Sequence, residues 1–524
     1  MDLVLDLATY LPHQEVTGTV PSPGTLSLFH LGVLRGQYEV GTRFNLGLVS
    51  QGSYSLRWKS GAEQTETALE VLSDPWDRLR YGFIAEFGKD VAVHEYLEWA
   101  KELHLTSVQF YDWAYRHEFL VGDQAEYGDP LGRTVSLPKL EALITGYKNI
   151  GTVPSGYAAV YAVDAEGWER WRQLGLFNSE GKPYQLGENF LWIVDPASPK
   201  WLAHFTRELE KAHQLGFTAF HLDQYGWPKI AKRGDGEIID LSTRFSEMLN
   251  HFARELPNTK HIFNNVNDFP TWSTALADQD ATYIEVWDPH SSFQDLADLV
   301  AKARGINPTR PIILSAYLKP FNDLDGDPDL DAAEAAFELT FASIVSGGAS
   351  HLIAGGAGQV LFDPYYVRNH KAQQRTKEVI KRNFNFTVSA GDLLYDSTRS
   401  DVTLTASFGI NTEIQFESSL DLSPSAQPGN VWVRVFSGAS GLTIHFINLL
   451  DQKSTTWDEG KSKILSSGGV TVSIDSVGFQ SQASMGGSKF GSVFSAISAR
   501  QENGRFKFDL NLDGAWCILN ISRT

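Results

Sequence analysis

At 524 residues the chain is too long for one ordinary domain and predicts roughly two to four. With 42% apolar and 20% charged residues it has the composition of a folded globular protein, which argues against global disorder. A formal net charge of −19 argues against phosphate-rich partners, nucleic acid and anionic membranes alike, and leaves neutral or cationic substrates.

The single cysteine, Cys517, rules out an intramolecular disulfide and a cysteine-based zinc site. The opening "MDLVLDLATYLPHQEV" carries acidic residues where a signal peptide needs a basic flank. No window reaches the roughly 18 apolar residues of a membrane span. The expectation is a cytoplasmic protein or a mature secreted form, monomeric or weakly oligomeric. Aromatic residues make up 12% of the chain and include 14 Trp. Most Trp are core, but their flat faces also suit sugar rings.

Residues 1–75 read as alternating strands, "GTLSLFHLGVL", "QYEVGTRFNLGLV" and "GSYSLRWKSG", broken by Gly, Ser and Pro. This predicts an immunoglobulin-like β-sandwich. From 76 to 378, short apolar runs alternate with amphipathic helices. The predicted strands cover 81–87, 107–113, 157–163, 217–223, 261–267, 282–287, 311–317 and 350–356. Helices are predicted at 91–104, 199–216, 243–256 and 292–305, where apolar residues recur at three and four. Eight strands with interleaved helices over about 300 residues match a (β/α)8 TIM barrel. A doubly wound open sheet is the competitor, but no GxGxxG turn or P-loop follows any strand. After 379 the helical period disappears, and "DVTLTASFG", "NVWVRVFSG", "LTIHFINLL", "GVTVSIDSV" and "RFKFDLNL" predict a C-terminal β-sandwich of the Greek-key type over 379–524. The fold class is therefore multidomain α/β, a central barrel between two β-sandwiches.

A barrel of this kind builds its active site at the C-terminal ends of its strands. Asp112 ends the second predicted strand, Asp223 the fourth and Glu285 lies near the end of the sixth, while Asn264, Asn265 and Asn267 crowd the fifth. Asp223 has an alternative as a helix cap, although "QYGWPK" after it postpones any helix. Glu285, between Ile and Val, is costly to bury unless paired or functional, and a structural salt bridge is its alternative. Two carboxylates facing one cleft are the minimal apparatus of a retaining glycosidase: one attacks the anomeric carbon, the other protonates the leaving oxygen. Tyr283 and Trp287 lie two residues either side of Glu285 and share its face in a strand. By excluding water they would raise its pKa, which makes Glu285 the acid/base and Asp223 the nucleophile.

No HExxH or GxSxG motif appears, and no metal site or cofactor is expected. "DLDGDPDLD" at 323–331 resembles part of a calcium loop, but its Gly lies at position 4, not 6, so a solvated acidic loop is expected.

With the strand ends in place, the region 75–375 resembles glycoside hydrolase family 66, the dextranases and cyclodextran-forming glucanotransferases. The resemblance lies in "SVQFYDWAYRHE" (107–118), "GFTAFHLDQYG" (216–226) and "YIEVW" (283–287). It implies that Asp223 is the nucleophile, Glu285 the acid/base, and an α-1,6-glucan (dextran) or isomaltooligosaccharides the substrate. Asp112, with Tyr111, Trp113 and His117, would line the subsite on the non-reducing side of the cut. Asp129 and Asn265 are further candidates for the same cleft. Trp113 has plain core packing as its alternative, and His117 a structural role. The implied reaction is internal cleavage of dextran to isomaltooligosaccharides. Formation of cyclic or rearranged α-1,6-glucans, and a non-catalytic glucan-binding protein, stand as alternatives. The segments between strands leave no room for an inserted carbohydrate-binding domain, so hydrolysis is expected over cyclisation. The aromatic-rich loop 167–192 is expected to shape the cleft.

Overall fold

The computed structural model describes residues 3–411 and 413–524. Its centre is a curled eleven-stranded sheet. The strands are β1 (Tyr81–Ile84), β2 (Ser107–Phe110), β3 (Val153–Ala159), β4 (Ala219–Asp223), β5 (Lys260–Val266), β6 (Ala281–Glu285), β7 (Ile312–Ser315), β8 (Ser350–His351), β9 (Ala354–Gly355), β10 (Gln359–Leu361) and β11 (Asn369–Lys371). From β1 to β8 each strand pairs in parallel with the next in sequence. Ser350 and His351 pair with β7, and Gly355 pairs with Phe83 of β1, so one short segment bridges the first and seventh strands.

The eight apolar runs are all present but most are shorter than expected. β2 ends at Phe110 because Tyr111 leaves the ladder and Asp112 turns with a left-handed φ of 49°. β3 begins at Val153, earlier than the apolar run suggested, since Pro154 and Ser155 are carried by pairing with β2 and β4. Among the described residues six long helices lie between strands of this sheet: α1 (Val93–Glu102), α2 (Leu137–Asn149), α3 (Pro199–Leu215), α4 (Leu241–Glu255), α5 (Phe293–Ile306) and α6 (Leu330–Val345); another, α7 (Gln374–Ser389), follows β11. In α3, Ser198 caps the N-terminus, Pro199 takes the first turn, and Trp201, Leu202, Phe205, Leu209 and Ala212 form the buried stripe. Leu202, Phe205 and Leu209 each gain about 1.5–3 kcal/mol on burial. The sequence reading did not assign α6: its helix is buried on nearly all faces and has almost no amphipathic signal.

The N-terminal residues form a three-stranded and a four-stranded sheet around one core that includes Leu26, Leu56, Trp58 and Leu69. The C-terminal residues form a seven-stranded and a four-stranded sheet around Val433, Ile444, Val472, Phe508 and Leu519. The division expected at 378/379 falls inside α7, which runs to Ser389 and packs against N-terminal and C-terminal strands. "DVTLTASFG" is not a single strand: Thr403–Ala406 is a helical turn, because Asp401 accepts from both the amide and the hydroxyl of Thr403. Arg78 ties the first sheets to the centre, bonding Glu70 at 2.9 Å and Asp392 at 2.6 Å. That bond, with one from His30, offsets burial and holds the Asp392 carboxyl down at about 2.

Candidate active site

Asp223 and Glu285 are the last residues of β4 and β6, and both are half-buried at the same end of the sheet. Asp223 caps no helix, because the next one, α4, is capped by Asp240. The strand between them supplies the link. Asn264 on β5 donates through Nδ2 to Asp223 Oδ1 at 2.7 Å and to Glu285 Oε2 at 3.0 Å. Those two oxygens are therefore no farther apart than the sum of the two distances. Register explains the arrangement: Leu222 pairs with Phe263 and Asn264 with Tyr283, so alternate side chains of all three strands share one face.

Tyr157 on β3 donates to Asp223 Oδ2 at 2.6 Å, and Tyr317 just past β7 donates to Glu285 Oε1 at 2.9 Å. All four carboxylate oxygens thus have a fixed donor. Burial pushes Asp223 above the ordinary carboxylate range, partly opposed by Tyr157, Asn264 and the Gln224 amide. Burial first, and then the charge of Asp223, push Glu285 up to about 7, against the bonds from Asn264, Tyr317 and Trp287. Two neighbouring carboxyls with separated environments are what a general acid beside a nucleophile requires.

The carboxylates open into a cleft of about 630 Å³, walled by Tyr111, Trp227, Phe269, Trp287 and Tyr365. Its size lies in the range of small-molecule sites, and its flat rings suit sugar faces. A cavity of about 800 Å³ between N-terminal and C-terminal strands contains none of the candidate site residues.

The other residues singled out from the sequence divide into two groups. Tyr111 and Trp287 line the cleft; Tyr111 stacks on Tyr366 with ring centres 4.4 Å apart. Asp112 lies beside the cleft in a small pocket with His117 and Tyr157, and burial pushes its carboxyl up to about 6. Burial lowers the His117 pKa, but its 2.8 Å bond to Asp164 and the charges of Asp164, Asp112 and Glu118 together raise it. Tyr283 is fully buried beneath Glu285, its hydroxyl 3.0 Å from that of Tyr366. Trp113 is buried in the core, donating to the Tyr157 carbonyl and packing on Phe217. Asp129 is spent internally on Arg133 and on the amides of Leu131 and Arg133. Asn265 points away from the carboxylates, donating to the Tyr283 carbonyl and accepting from Thr274.

The loop 167–192 forms short strands at the rim, where Leu186 lines the cleft and Tyr184 packs on Trp227 at 5.9 Å. In the acidic segment, Asp323 pairs with His370 at 2.8 Å, and Asp329 caps α6. Sequence reasoning placed Asn264 beside Asn265 and Asn267 at the end of the fifth strand without giving it a role, and did not single out Tyr157 or Tyr317. Register is what distinguishes Asn264, since it puts this side chain on the face that carries Asp223 and Glu285.

Comparison with known proteins adds the family. The chain is 25% identical over 330 residues to a cycloisomaltooligosaccharide glucanotransferase from Niallia circulans, an overlap of 58% of this chain and 33% of that protein. A second such protein from the same organism matches over 309 residues, 31% of its length. The chain therefore spans about a third of the length of the curated relatives it matches. Among solved structures, a Paenibacillus cycloisomaltooligosaccharide glucanotransferase complexed with cycloisomaltoheptaose superposes with a TM-score of 0.86 at 17% identity, covering 99% of both chains. An α-amylase from Geobacillus thermoleovorans superposes at 0.55 with 10% identity, over 85% of this chain and 98% of the other. Both are likenesses of fold. The sequence model of glycosyl hydrolase family 66 matches residues 56–471, and the chain belongs to that family.

Proposed function

We propose that this chain breaks α-1,6-glucosidic bonds by double displacement, with Asp223 as nucleophile and Glu285 as acid/base. The shared Asn264 amide carries the reading. It keeps Asp223 Oδ1 and Glu285 Oε2 no farther apart than the sum of its two bonds, which supports the close spacing of about 5–5.5 Å used by retaining enzymes over the roughly 6.5–9.5 Å that an inverting water needs. Glu285, raised to about 7, keeps its proton near neutrality and gives it to the departing glucosyl oxygen as Asp223 bonds the anomeric carbon. The deprotonated Glu285 then takes a proton from the acceptor hydroxyl, which displaces Asp223 and releases the sugar.

The scaffold behind this chemistry is read as a (β/α)8 barrel between two β-sandwiches. The bridging of β1 and β7 by residues 350–355 and the placement of both carboxyls at strand ends support it. Residues 1–75 remain the proposed first unit, while α7 moves the start of the third beyond Ser389.

The acceptor is either water or a sugar hydroxyl. The sequence alone put hydrolysis of dextran first. The matched relatives are named glucanotransferases, and one structural neighbour holds cycloisomaltoheptaose, which favours transfer to cyclic or rearranged α-1,6-glucans. The aromatic walls Trp227, Trp287 and Tyr365 would seat an acceptor sugar. Incubation with dextran, followed by reducing-end assay and chromatography, tests both branches. Cyclic or longer products without new reducing ends mean transfer, and new reducing ends mean hydrolysis. Absence of any product overturns the reading.

A further inference from the structure

At the opposite end of the sheet from the two carboxylates, a cavity of about 380 Å³ lies between the sheet, α5 and the C-terminal strand Val431–Ser437. Ile312, which opens β7, and Gly348, just before β8, line it, and it shares no residue with the cleft. Three arginines from three parts of the chain converge there: Arg304 near the end of α5, Arg399 past α7 and Arg434 on the C-terminal strand. Arg399 and Arg434 meet at Ser346, one donating to its carbonyl at 2.8 Å and the other to its hydroxyl at 2.7 Å. A Cβ on Gly348 would lie 3.0 Å from Arg399 Nη2 and 3.5 Å from Arg304 Nη2, so those nitrogens are no farther apart than the sum of the two distances.

Among the described residues none of the three forms an ion pair. Their partners are carbonyls, the Ser346 hydroxyl and aromatic rings. Arg434 is 6% exposed, yet its Nη2 makes no hydrogen bond to the described residues and is not sealed from solvent. Burial first, and then the charges of Arg434 and Arg304, pull Arg399 down to about 9. The carbonyl bonds close the end of α6 and the turn after it, but a helix end offers only about half a negative charge against three cations. Asp77, Asp396 and Asp401 also line the cavity. Each accepts from a nearby hydroxyl, of Ser73, Thr398 and Thr403, and from none of the arginines. Buried like charges that converge without a counter-ion are costly, and an anion seated among them removes that cost. Planar guanidinium forks match the oxygens of a phosphate or sulfate group.

We propose that this cavity binds a phosphate-type oxyanion, free or carried on a small sugar phosphate, between Arg304, Arg399 and Arg434. Bound there, the anion ties α5 to the C-terminal strand, far from the catalytic cleft, and stabilises the folded chain. The site is independent of the catalytic reading.

Calorimetric titration of the full chain with inorganic phosphate and with glucose 6-phosphate, at constant ionic strength, tests this. Saturable binding and a rising Tm are expected, and the tighter ligand identifies the source of the phosphate group. Arg304→Gln and Arg399→Gln should each weaken binding about 10- to 100-fold, as one lost charge-assisted hydrogen bond implies. Because an arginine variant can fold poorly, the native protein supplies a second readout. Phosphate should slow the modification of Arg304 and Arg399, both half-buried, by phenylglyoxal, as read by peptide mass spectrometry. No saturable binding of either ligand, native affinity in folded variants, or modification rates that phosphate leaves unchanged would each overturn the proposal. Stabilisation that sodium chloride reproduces at equal ionic strength overturns it as well.

Discussion

Asp223 and Glu285 are held by one amide nitrogen, that of Asn264, at 2.7 and 3.0 Å. This contact fixes the separation of the two carboxyls more tightly than their own strands do, since strand ends tolerate rotamer change and a shared donor does not. It also offsets part of their mutual repulsion, which would otherwise drive the Glu285 proton affinity higher.

Asn264→Ala should therefore lower kcat by about 10- to 100-fold, the loss of two hydrogen bonds to charged or polarised oxygens. KM should change little, because the amide faces the carboxyls and not the outer walls of the cleft. Steady-state kinetics on dextran measure both. An Asn264→Ala enzyme with native kcat would remove the amide from the mechanism.

The pH profile follows from the directions of the two shifts. As the proposed nucleophile Asp223 would attack only when ionised, so activity should fall on the acid side, at a pH above the usual carboxylate range because burial raises its pKa. As the proposed acid Glu285 would give a proton only when protonated, so activity should fall on the basic side as pH rises through about 7. The pair titrates together, and kcat/KM against pH should be bell-shaped. Glu285→Gln should abolish the basic limb and spare the first step on substrates with good leaving groups. Equal loss on those substrates would contradict the acid role.

Tyr157→Phe removes the 2.6 Å bond to Asp223, one of the hydrogen bonds that hold its carboxyl down. The acid limb should move to higher pH and kcat should drop about tenfold. An acid limb that stays in place would assign that limb to another group.

Stability carries a matching signature. Because the folded pKa of Glu285 lies near 7 and its ordinary value is 4.5, its stabilising contribution is complete below about 4.5 and is lost as pH rises through about 7. Glu285→Gln should thus leave the melting temperature nearly unchanged at pH 4.5 and raise it at pH 8, reflecting a stability gain on the order of a few kcal/mol. Trp113→Ala behaves differently. Its indole is core, and the loss of about 3–5 kcal/mol should appear at every pH as a lower melting temperature.

How much of this was legible in the sequence varies with the physics of each element. The eight apolar runs and four of the helices announced themselves by period, and the two carboxyls stood out because a buried charge at a strand end is expensive. α6 escaped because a helix buried on all sides has no polar face to give it a period. The role of Asn264 needed register as well as sequence: its neighbour Asn265 looks equivalent in one dimension and faces the opposite side of the strand. Trp113 sits in a stretch expected to line the cleft, but Asp112 turns with a positive φ and sends the next side chain inward to Phe217. Asp129, a further candidate for the cleft through the family resemblance, is consumed in holding Arg133, which in turn holds the backbone of Asp112.

The central claim, that Asp223 carries the sugar, is tested most directly by trapping it there. The Glu285→Gln enzyme should be mixed with α-isomaltosyl fluoride, whose leaving group needs no acid, then digested and examined by mass spectrometry. The account predicts that an isomaltosyl adduct accumulates on the peptide containing Asp223, because the base for the second step is gone. Turnover without an adduct, or an adduct on any other residue, would contradict it.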